Sequence, residues 1–373
     1  MARSPEHSRA RTPPRNVSWP SPPGWRARSG HPDGRERRMR ESDTPTAARI
    51  GAAVGALPLR PSLVATLRDY GIYLALAALV VYFAIALPQF RTPDNALLVL
   101  LQVSVIGIIA IGMTFTILTA GIDLSVGSLL AVAGMFSGVF AQKDPSAANV
   151  LLAFLLPVVI GLLGGAINGV IIAWAGVNPL IVTLGTLTAY RGFVVWYRVN
   201  PIYDLQPYYR VVGQGTVGPI PIPAIILLVM AGAAWVVLNY TRYGRYVYVV
   251  GGNPEAARAA GIDVPLLKFS VYVISGFCVG VAGLIFTSRL MAAQAISGQG
   301  FELQAIAAAV VGGASLFGGR GKITNTIVGA LIMGVLFNGL VMLNVPAPIQ
   351  QMVIGVIIIA AVWLDAVLRQ RGY

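Results

Sequence analysis

Residues 96–119 read ALLVLLQVSVIGIIAIGMTFTILT, a stretch without a charged side chain. A bilayer core about 30 Å thick is crossed by roughly 20 residues of α-helix, so this stretch is long and apolar enough to span a membrane. Similar runs recur to the C-terminus, and two of them, 122–141 and 302–318, are short and are candidates for broken or re-entrant helices. The predicted spans are 70–87, 96–119, 122–141, 150–175, 178–197, 222–240, 267–288, 302–318, 323–343 and 346–365.

The composition of the whole chain agrees with a membrane protein. Hydrophobic residues make up 56% of the 373 residues and charged residues only 11%, whereas a soluble domain carries about 25% charged residues. The 42 glycines and 24 prolines are compatible with membrane helices, in which glycine permits close helix approach. We therefore predict an all-α polytopic membrane protein of about ten transmembrane helices that moves a small solute across the bilayer.

The residues that the chain lacks exclude several kinds of chemistry. Its one cysteine, Cys278, has no second cysteine with which to form a disulfide or a thiolate metal site. Both histidines, His7 and His31, lie in the N-terminal tail, away from the predicted spans. We therefore expect no catalytic residue, no metal site and no cofactor bound by this chain.

One glycine-rich segment resembles a phosphate-binding loop, namely VGGASLFGGRGKIT at 311–324. It lacks two of the residues that such a loop requires. A Walker loop has a glycine at the position of Leu316 and a serine or threonine at the position of Ile323. No strand is predicted before the segment either. We interpret it as a close-packed helix end on the cytoplasmic side, and we expect the chain to have no ATP site of its own and not to be an enzyme.

Residues 1–62 differ in composition from the rest of the chain. They contain 12 arginines and five acidic residues, a net charge of +7, and they have no apolar core typical of a signal peptide. We predict a disordered, basic cytoplasmic tail drawn to anionic lipid headgroups rather than to nucleic acid. Met39 is an alternative start of translation. Residues 63–373 then form the transmembrane permease domain.

The basic residues between the spans predict the orientation. With the N-terminus in the cytoplasm, nine lysines and arginines after the tail fall on the cytoplasmic side and five on the opposite side. Cytoplasmic loops are enriched in lysine and arginine. Both termini are therefore expected on the cytoplasmic side of the membrane.

Two segments suggest a repeated architecture. Residues 119–128 (TAGIDLSVGS) and 297–304 (SGQGFELQ) each place one acidic residue beside glycines at the start of a helix. On the predicted topology they lie on opposite faces of the membrane, as they would in two inverted halves.

The segment 250–263, VGGNPEAARAAGID, predicts a short helix between two spans. Asn253 is a suitable N-cap, Pro254 suits the first helical position, Glu255 complements the helix dipole and Gly261 suits the C-terminal stop. The alanines keep the helix slim enough to enter a groove on a soluble partner, although a simple connecting helix has the same pattern. The candidate partner-contact residues are Gly252, Asn253, Glu255, Ala256, Ala257, Arg258 and Gly261.

Polar residues at the starts of two other predicted helices are candidates for the solute path. Asp123 and Ser125 could cap the helix that follows them or line the path, and capping is the interpretation that we favour. Asn178, Thr183 and Thr186 open another span, where the hydroxyls could hydrogen-bond a solute or simply pack helices together.

Four segments in this order resemble the ribose-type monosaccharide permeases of bacterial ABC importers. These are GIDLSVGS at 121–128, NPLIVTLGT at 178–186, GGNPEAARAAGI at 251–262 and VVGGASLFGGRGKI at 310–323. The resemblance runs from about residue 65 to the end. The chain departs from the family pattern at Ala314, where threonine is usual, and at Asn325, where glycine is usual.

The resemblance implies a homodimer of ten-helix subunits with a type II ABC importer fold. A separate cytoplasmic ATPase would bind ATP and Mg²⁺, and a periplasmic binding protein would deliver the sugar. Residues Asn253 to Gly261 would form the coupling helix that contacts the ATPase.

Other transporters remain as alternatives. ABC permeases for branched-chain amino acids or nucleosides have a similar architecture. An ion-coupled secondary transporter would need ionisable groups deep in its spans, and only Asp123, Arg191 and Glu302 come close to this. A membrane enzyme would need paired carboxylates, histidines or cysteines, which the spans lack.

Overall fold

A computed structural model describes the backbone of residues 61–370. In this range the chain forms thirteen α-helices, one two-stranded antiparallel hairpin and two short 3₁₀ helices, Pro88–Arg91 and Pro207–Tyr209. The tail of residues 1–62, with the alternative start at Met39, lies almost wholly outside the described residues. The elements are α1 Pro61–Ala86, α2 Pro93–Leu118, α3 Val126–Ala141, α4 Ala147–Ala173, α5 Pro179–Tyr197, α6 Arg210–Gln214, β1 Thr216–Val217, β2 Ile220–Pro221, α7 Ile222–Tyr240, α8 Arg242–Gly252, α9 Pro254–Ala259, α10 Val264–Leu290, α11 Phe301–Val311, α12 Ile323–Met342 and α13 Ala347–Gln370.

Six of these helices are long and apolar enough to cross a membrane: α2, α4, α5, α7, α10 and α12. Four further apolar stretches are shorter, namely α3, α11, Tyr70–Ala86 of α1 and Ala347–Trp363 of α13. Each predicted span therefore falls on an apolar helix. The mostly helical, apolar architecture agrees with a multi-pass membrane protein.

Helices α2 and α10 lie at the centre of the bundle and run antiparallel to each other. A Cβ added at Gly112 of α2 would lie 2.9 Å from the Cα of Ser275 of α10, and one added at Gly121, after α2, would meet the Tyr272 hydroxyl. Most of the side chains in the second half of α2 are buried. These two helices form the frame on which the other elements pack.

The closest helix contact, between α4 and α10, is made by glycines. A Cβ at Gly161 would overlap the backbone of Gly276 and Gly280, and a Cβ at Gly165 would overlap the carbonyl oxygen of Tyr272. Backbones approach this closely only where no side chain intervenes, which is the usual basis of tight packing between membrane helices. The high glycine content of the chain is used here for packing.

The two short predicted spans are helices that start inside the protein. Span 122–141 is helical only from Val126, and span 302–318 is helical only to Val311, after which Gly313 adopts a φ of +84° that ends the helix. At 1.5 Å per residue, α3 and α11 are roughly 24 and 16 Å long and are shorter than the bilayer core of about 30 Å. Both boundaries in the sequence prediction were too wide.

The starts of α3 and α11 contact each other. A Cβ at Gly127 would overlap the carbonyl oxygen of Gly298 and the carboxylate of Glu302. The segment before α3 follows the end of α2, and the segment before α11 follows the opposite end of the antiparallel α10. The two acidic segments thus follow opposite ends of two antiparallel helices and meet at the helix starts, and their placement on opposite faces of the membrane stays a prediction.

Candidate functional site

The short helix α9 is fixed at both ends by hydrogen bonds that its sequence predicts. The Asn253 side chain accepts from the backbone N–H groups of Glu255 and Ala256, both at 3.0 Å. At the other end, Gly261 has a φ of +78°, its N–H donates to the Arg258 carbonyl, and the Ile262 N–H donates to the Ala257 carbonyl. This is a Schellman arrangement. A helix of six residues, too short to be stable alone, is thereby held in shape.

Most of α9 is presented to the surroundings. Glu255, Ala256 and Arg258 are exposed, and Ala257 alone among the helix residues is buried. Arg258 donates to Glu255 at 3.3 Å, three residues earlier on the same face. The helix therefore offers a slim surface with one positive and one negative group, which suits insertion into a groove of a partner.

Segments far away in the sequence pack against α8, the helix that leads into α9. Gly251, at the end of α8, lies against the Leu118 carbonyl at the end of α2, and the Gly319 N–H donates to that same carbonyl at 2.9 Å. The Tyr248 hydroxyl donates to the Gly321 carbonyl at 2.9 Å, and burial raises the pKa of Tyr248. The glycine-rich segment is thus a loop over residues 312–322 that packs against α8, the helix that leads into α9.

We call this group of segments, residues 242–263 together with 312–322 and the end of α2, the coupling surface. The two departures from the family pattern lie at or near it. Ala314 is buried against Gly321, and Asn325 accepts a hydrogen bond of 3.3 Å from the Tyr73 hydroxyl. Neither residue is near the end of the bundle that is remote from the coupling surface.

The other set of predicted residues forms a buried polar cluster around Asp123. One carboxylate oxygen accepts from the Ser125 N–H at 3.1 Å and from the Ser125 hydroxyl at 2.7 Å. The other accepts from the Ser275 hydroxyl of α10 at 2.9 Å, and the Asn168 amide of α4 donates to Ser125 at 2.8 Å. Asp123, Ser125, Asn168 and Ser275 are all fully buried. The cluster joins the start of α3 to two neighbouring helices.

The structure brings only one of the remaining predicted solute-path residues to this cluster. Thr183 of α5 is buried and donates to the Ile122 carbonyl at 3.2 Å and to the Pro179 carbonyl at 2.9 Å. Asn178 is exposed and caps α5 by accepting from the Leu180 N–H at 2.9 Å. Thr186 is half-buried and bonds within α5. These contacts support capping and packing roles, and a role in the solute path stays a prediction.

Sequence analysis missed Asn168 and Ser275 as partners of Asp123. Both are polar residues in the interior of long, mostly apolar helices, a position where polar side chains usually face the protein interior. This pattern could have marked both residues as candidates for the protein interior. Two atoms of the same region, Asn168 Oδ1 and the Tyr272 hydroxyl, are buried without a hydrogen-bond partner.

Arg191 and Glu302, the other two ionisable groups singled out from the sequence, are held by backbone atoms. Arg191 of α5 donates to the carbonyl oxygens of Ala295 and Ser297, and Glu302 accepts from the Gly300 N–H at 3.2 Å. Among the residues whose side chains the structure describes, no group of three or more Asp, Glu, His or Cys side chains is placed to hold a metal ion.

Comparison with known proteins gives a consistent result. Residues 95–362 match the family model described as branched-chain amino acid transport system / permease component. The chain is 41% identical to the D-allose transport system permease protein AlsC of Escherichia coli, over 81% of this chain and 92% of that protein. It is 43% identical to the ribose import permease protein RbsC of Bacillus subtilis, over 80% and 93%, and 33% identical to the xylose permease XylH of Haemophilus influenzae, over 80% and 96%. No solved structure matches.

Proposed function

We propose a function from the premise that this chain belongs to the family of branched-chain amino acid transport system / permease components. It is the permease subunit of a bacterial ABC importer, a multi-pass inner-membrane transport component rather than an enzyme. Its solute is a monosaccharide. It forms the membrane path for a sugar that a periplasmic binding protein delivers and that a separate ATPase drives inward.

The observation that carries this proposal is the identity of 41–43% to ribose and allose permeases over more than nine-tenths of their length. The family description names amino acids, but the similar proteins named above transport sugars according to their names. An ion-coupled mechanism is less well supported, because the three candidate ionisable groups, Asp123, Arg191 and Glu302, are bonded to backbone or hydroxyl groups.

The coupling surface is the proposed contact with the ATPase, which binds ATP and Mg²⁺. Three features support this role: α9 is exposed, it is capped at both ends, and it directly follows α8, whose last residues lie against the backbone of Leu118 and Gly319. Movement of the ATPase against α9 would reach α2 through the end of α8, where Gly251 lies against the Leu118 carbonyl.

The finer architecture is also proposed. We place both termini and the coupling surface in the cytoplasm, count ten spans, and expect a second copy of the chain to complete the path. The meeting of α3 and α11, which follow opposite ends of two antiparallel helices, supports two inverted halves. Exposed apolar side chains along α5, such as Ile181 and Trp196, provide a surface for lipid or for the second copy.

The proposal is tested by deleting the gene in the bacterium that encodes it and measuring uptake of labelled ribose, allose, xylose, fructose and leucine. We expect uptake of one sugar to be lost and to return when the gene is restored. Leucine uptake should not change. Loss of leucine uptake with normal uptake of all sugars would instead support the amino acid alternative.

A further inference from the structure

A cavity of about 360 Å³ lies between α2, α10, α11, α12 and α13. It is lined by the middle of α2, the last turns of α10, the first turns of α11 and α13, and the part of α12 from its middle toward its C-terminal end. It therefore lies in the half of the bundle remote from the coupling surface. Its volume falls within the range of roughly 300–1,000 Å³ that is typical of small-molecule sites.

The cavity contains polar groups that the protein itself does not satisfy. Gln102, Arg289 and Gln304 line it and are each half-buried. Among the residues that the structure describes, their side chains form no hydrogen bond or ion pair with another protein group. A guanidinium and two amides offer several N–H donors and two carbonyl acceptors to whatever occupies the cavity.

Aromatic rings complete the lining. Phe286 of α10 and Phe301 of α11 meet edge to face with ring centroids 5.2 Å apart, and Phe337 of α12 lies on another wall. Sugars present hydroxyl groups at their edges and C–H groups on their faces, so that they pair with polar donors and aromatic rings at once. No carboxylate lines the cavity, which leaves no partner for the ammonium group of an amino acid.

The walls of the cavity are held in place by two polar contacts between α2 and α12. The amides of Asn95 and Asn338 exchange hydrogen bonds of 2.8 and 3.1 Å at one end. The hydroxyls of Thr114 and Thr326 are 2.8 Å apart at the other. All four residues are buried. The cavity lies between these two contacts, so that it exists before a ligand arrives.

We propose that this cavity is a binding site for a neutral monosaccharide on the permease itself. Arg289, Gln102 and Gln304 hydrogen-bond the sugar hydroxyls, and the phenylalanine rings pack against its C–H face. The site lies in the outer half of the protein, where a sugar released by the binding protein first meets the chain. This inference rests on the proposed function for its ligand class, whereas the cavity and its lining do not depend on it.

Protection of an introduced cysteine tests the site without the ATPase or the binding protein. Ala347→Cys places a thiol at the cavity, and Ala148→Cys places a matched thiol in the first turn of α4, at the same end of the bundle but outside the cavity. Both alanines are exposed, and the native Cys278 is buried, so background labelling is low. Labelling rates are measured on the full chain in membranes with ribose, allose, xylose or fructose, and with inorganic phosphate.

We expect one sugar to slow labelling of Ala347→Cys about tenfold when it is present at ten times its Kd, because about a tenth of the sites are then free. Labelling of Ala148→Cys should not change. Adding Arg289→Gln or Gln304→Leu to Ala347→Cys should remove the protection. The matched controls Arg210→Gln and Gln89→Leu, both at exposed positions outside the cavity, should keep it.

Unchanged labelling with every sugar, or protection by phosphate alone, would overturn the proposal. Protection that survives both Arg289→Gln and Gln304→Leu would also overturn it. Uptake by the unaltered protein is measured in parallel. If the proposed function is wrong, the unaltered protein takes up none of the sugars. If only the proposed site is wrong, sugar uptake is normal but no sugar slows the labelling of Ala347→Cys.

Discussion

Gly251 and Gly252 are neighbours in the sequence and lie in different surroundings. A Cβ at Gly251 would overlap the Leu118 carbonyl and approach the Gly319 nitrogen to 2.7 Å, whereas a Cβ at Gly252 would meet nothing within 4 Å. The clash at Gly251 is with backbone, which cannot move aside as the end of a flexible side chain could. At the scale of single residues, burial against distant segments therefore decides which glycine is required.

We predict that Gly251→Ala destabilises the protein by about 1–3 kcal/mol, the usual cost of overpacking. Gly252→Ala should change stability by less than about 0.5 kcal/mol, as expected of an exposed site. Thermal unfolding of the purified proteins in the same detergent measures the difference. Equal unfolding temperatures for the two variants would contradict the close contact between α8 and α2.

The Asp123 cluster makes a second prediction for single residues. Asp123→Ala removes the acceptor for the hydroxyls of Ser125 and Ser275 and leaves buried donors unpaired, at a cost of about 1–3 kcal/mol for each. Asp123→Asn keeps an acceptor oxygen and should cost less. Thermal unfolding and sugar uptake are measured for both variants.

A capping and packing role predicts that stability and uptake fall together, with Asp123→Asn close to the unaltered protein in both. Full stability of Asp123→Asn combined with loss of uptake would favour the solute path as the role of this carboxylate.

At the scale of elements, α9 shows how a short helix can be rigid. Its caps come from its own sequence, through Asn253 and Gly261, while the preceding α8 is held by the end of α2 and by the glycine-rich loop after α11. Of the residues predicted to contact a partner, Ala257 is buried and faces the protein instead. The exposed pair Glu255 and Arg258 is then the feature of α9 that a partner can recognise by charge.

We predict that exchanging the two charges, Glu255→Arg with Arg258→Glu, weakens ATPase docking and uptake but not membrane insertion. The exchanged pair still has opposite charges three residues apart, and its reversed orientation to the helix dipole costs about 0.3–1 kcal/mol for each charge. The exchange therefore affects the formation of α9 much less than it affects recognition of α9 by the ATPase. Uptake and co-purification of the ATPase are the measurements.

Conservative changes provide the control for this prediction. Glu255→Asp with Arg258→Lys keeps both charges in place and should retain docking. If the exchanged variant supports uptake at the normal rate, α9 is a connecting helix and not the coupling helix.

At the scale of the whole molecule, the bundle has two chemically different ends. One carries the coupling surface, and the other carries the polar and aromatic cavity next to the C-terminal turn of α10. Between them, the short helices α3 and α11 meet at Gly127 and Gly298. An importer needs such a division, because the solute enters at one side of the membrane and the ATPase acts at the other.

The orientation gives a prediction at this scale. We expect Asp144→Cys, in the exposed loop between α3 and α4, to react with an impermeant thiol reagent added to intact cells. Ala256→Cys, on exposed α9, should react only in inside-out vesicles. The reverse pattern would place the coupling surface outside and would contradict the proposed orientation. The chain without an added cysteine serves as the blank, since Cys278 is buried.

The sequence by itself determined the membrane class, the helical character of every predicted span, the caps of α9 and the family. These depend on local properties, namely apolar length, end-capping residues and short motifs, which are the same wherever the segment lies in space. For example, Asn253 and Gly261 act through hydrogen bonds to residues at most four positions away.

Only the tertiary structure decided which distant residues share a site. Nothing local links Asp123 to Asn168 and Ser275, or Gln102 to Arg289 and Gln304, because these pairs are set by the antiparallel packing of helices separated by many residues. The same holds for the lengths of α3 and α11. Apolar residues continue past the end of α11, and positive φ angles at Gly300 and Gly313 bound that helix. Before α3, the chain instead forms the buried polar cluster around Asp123.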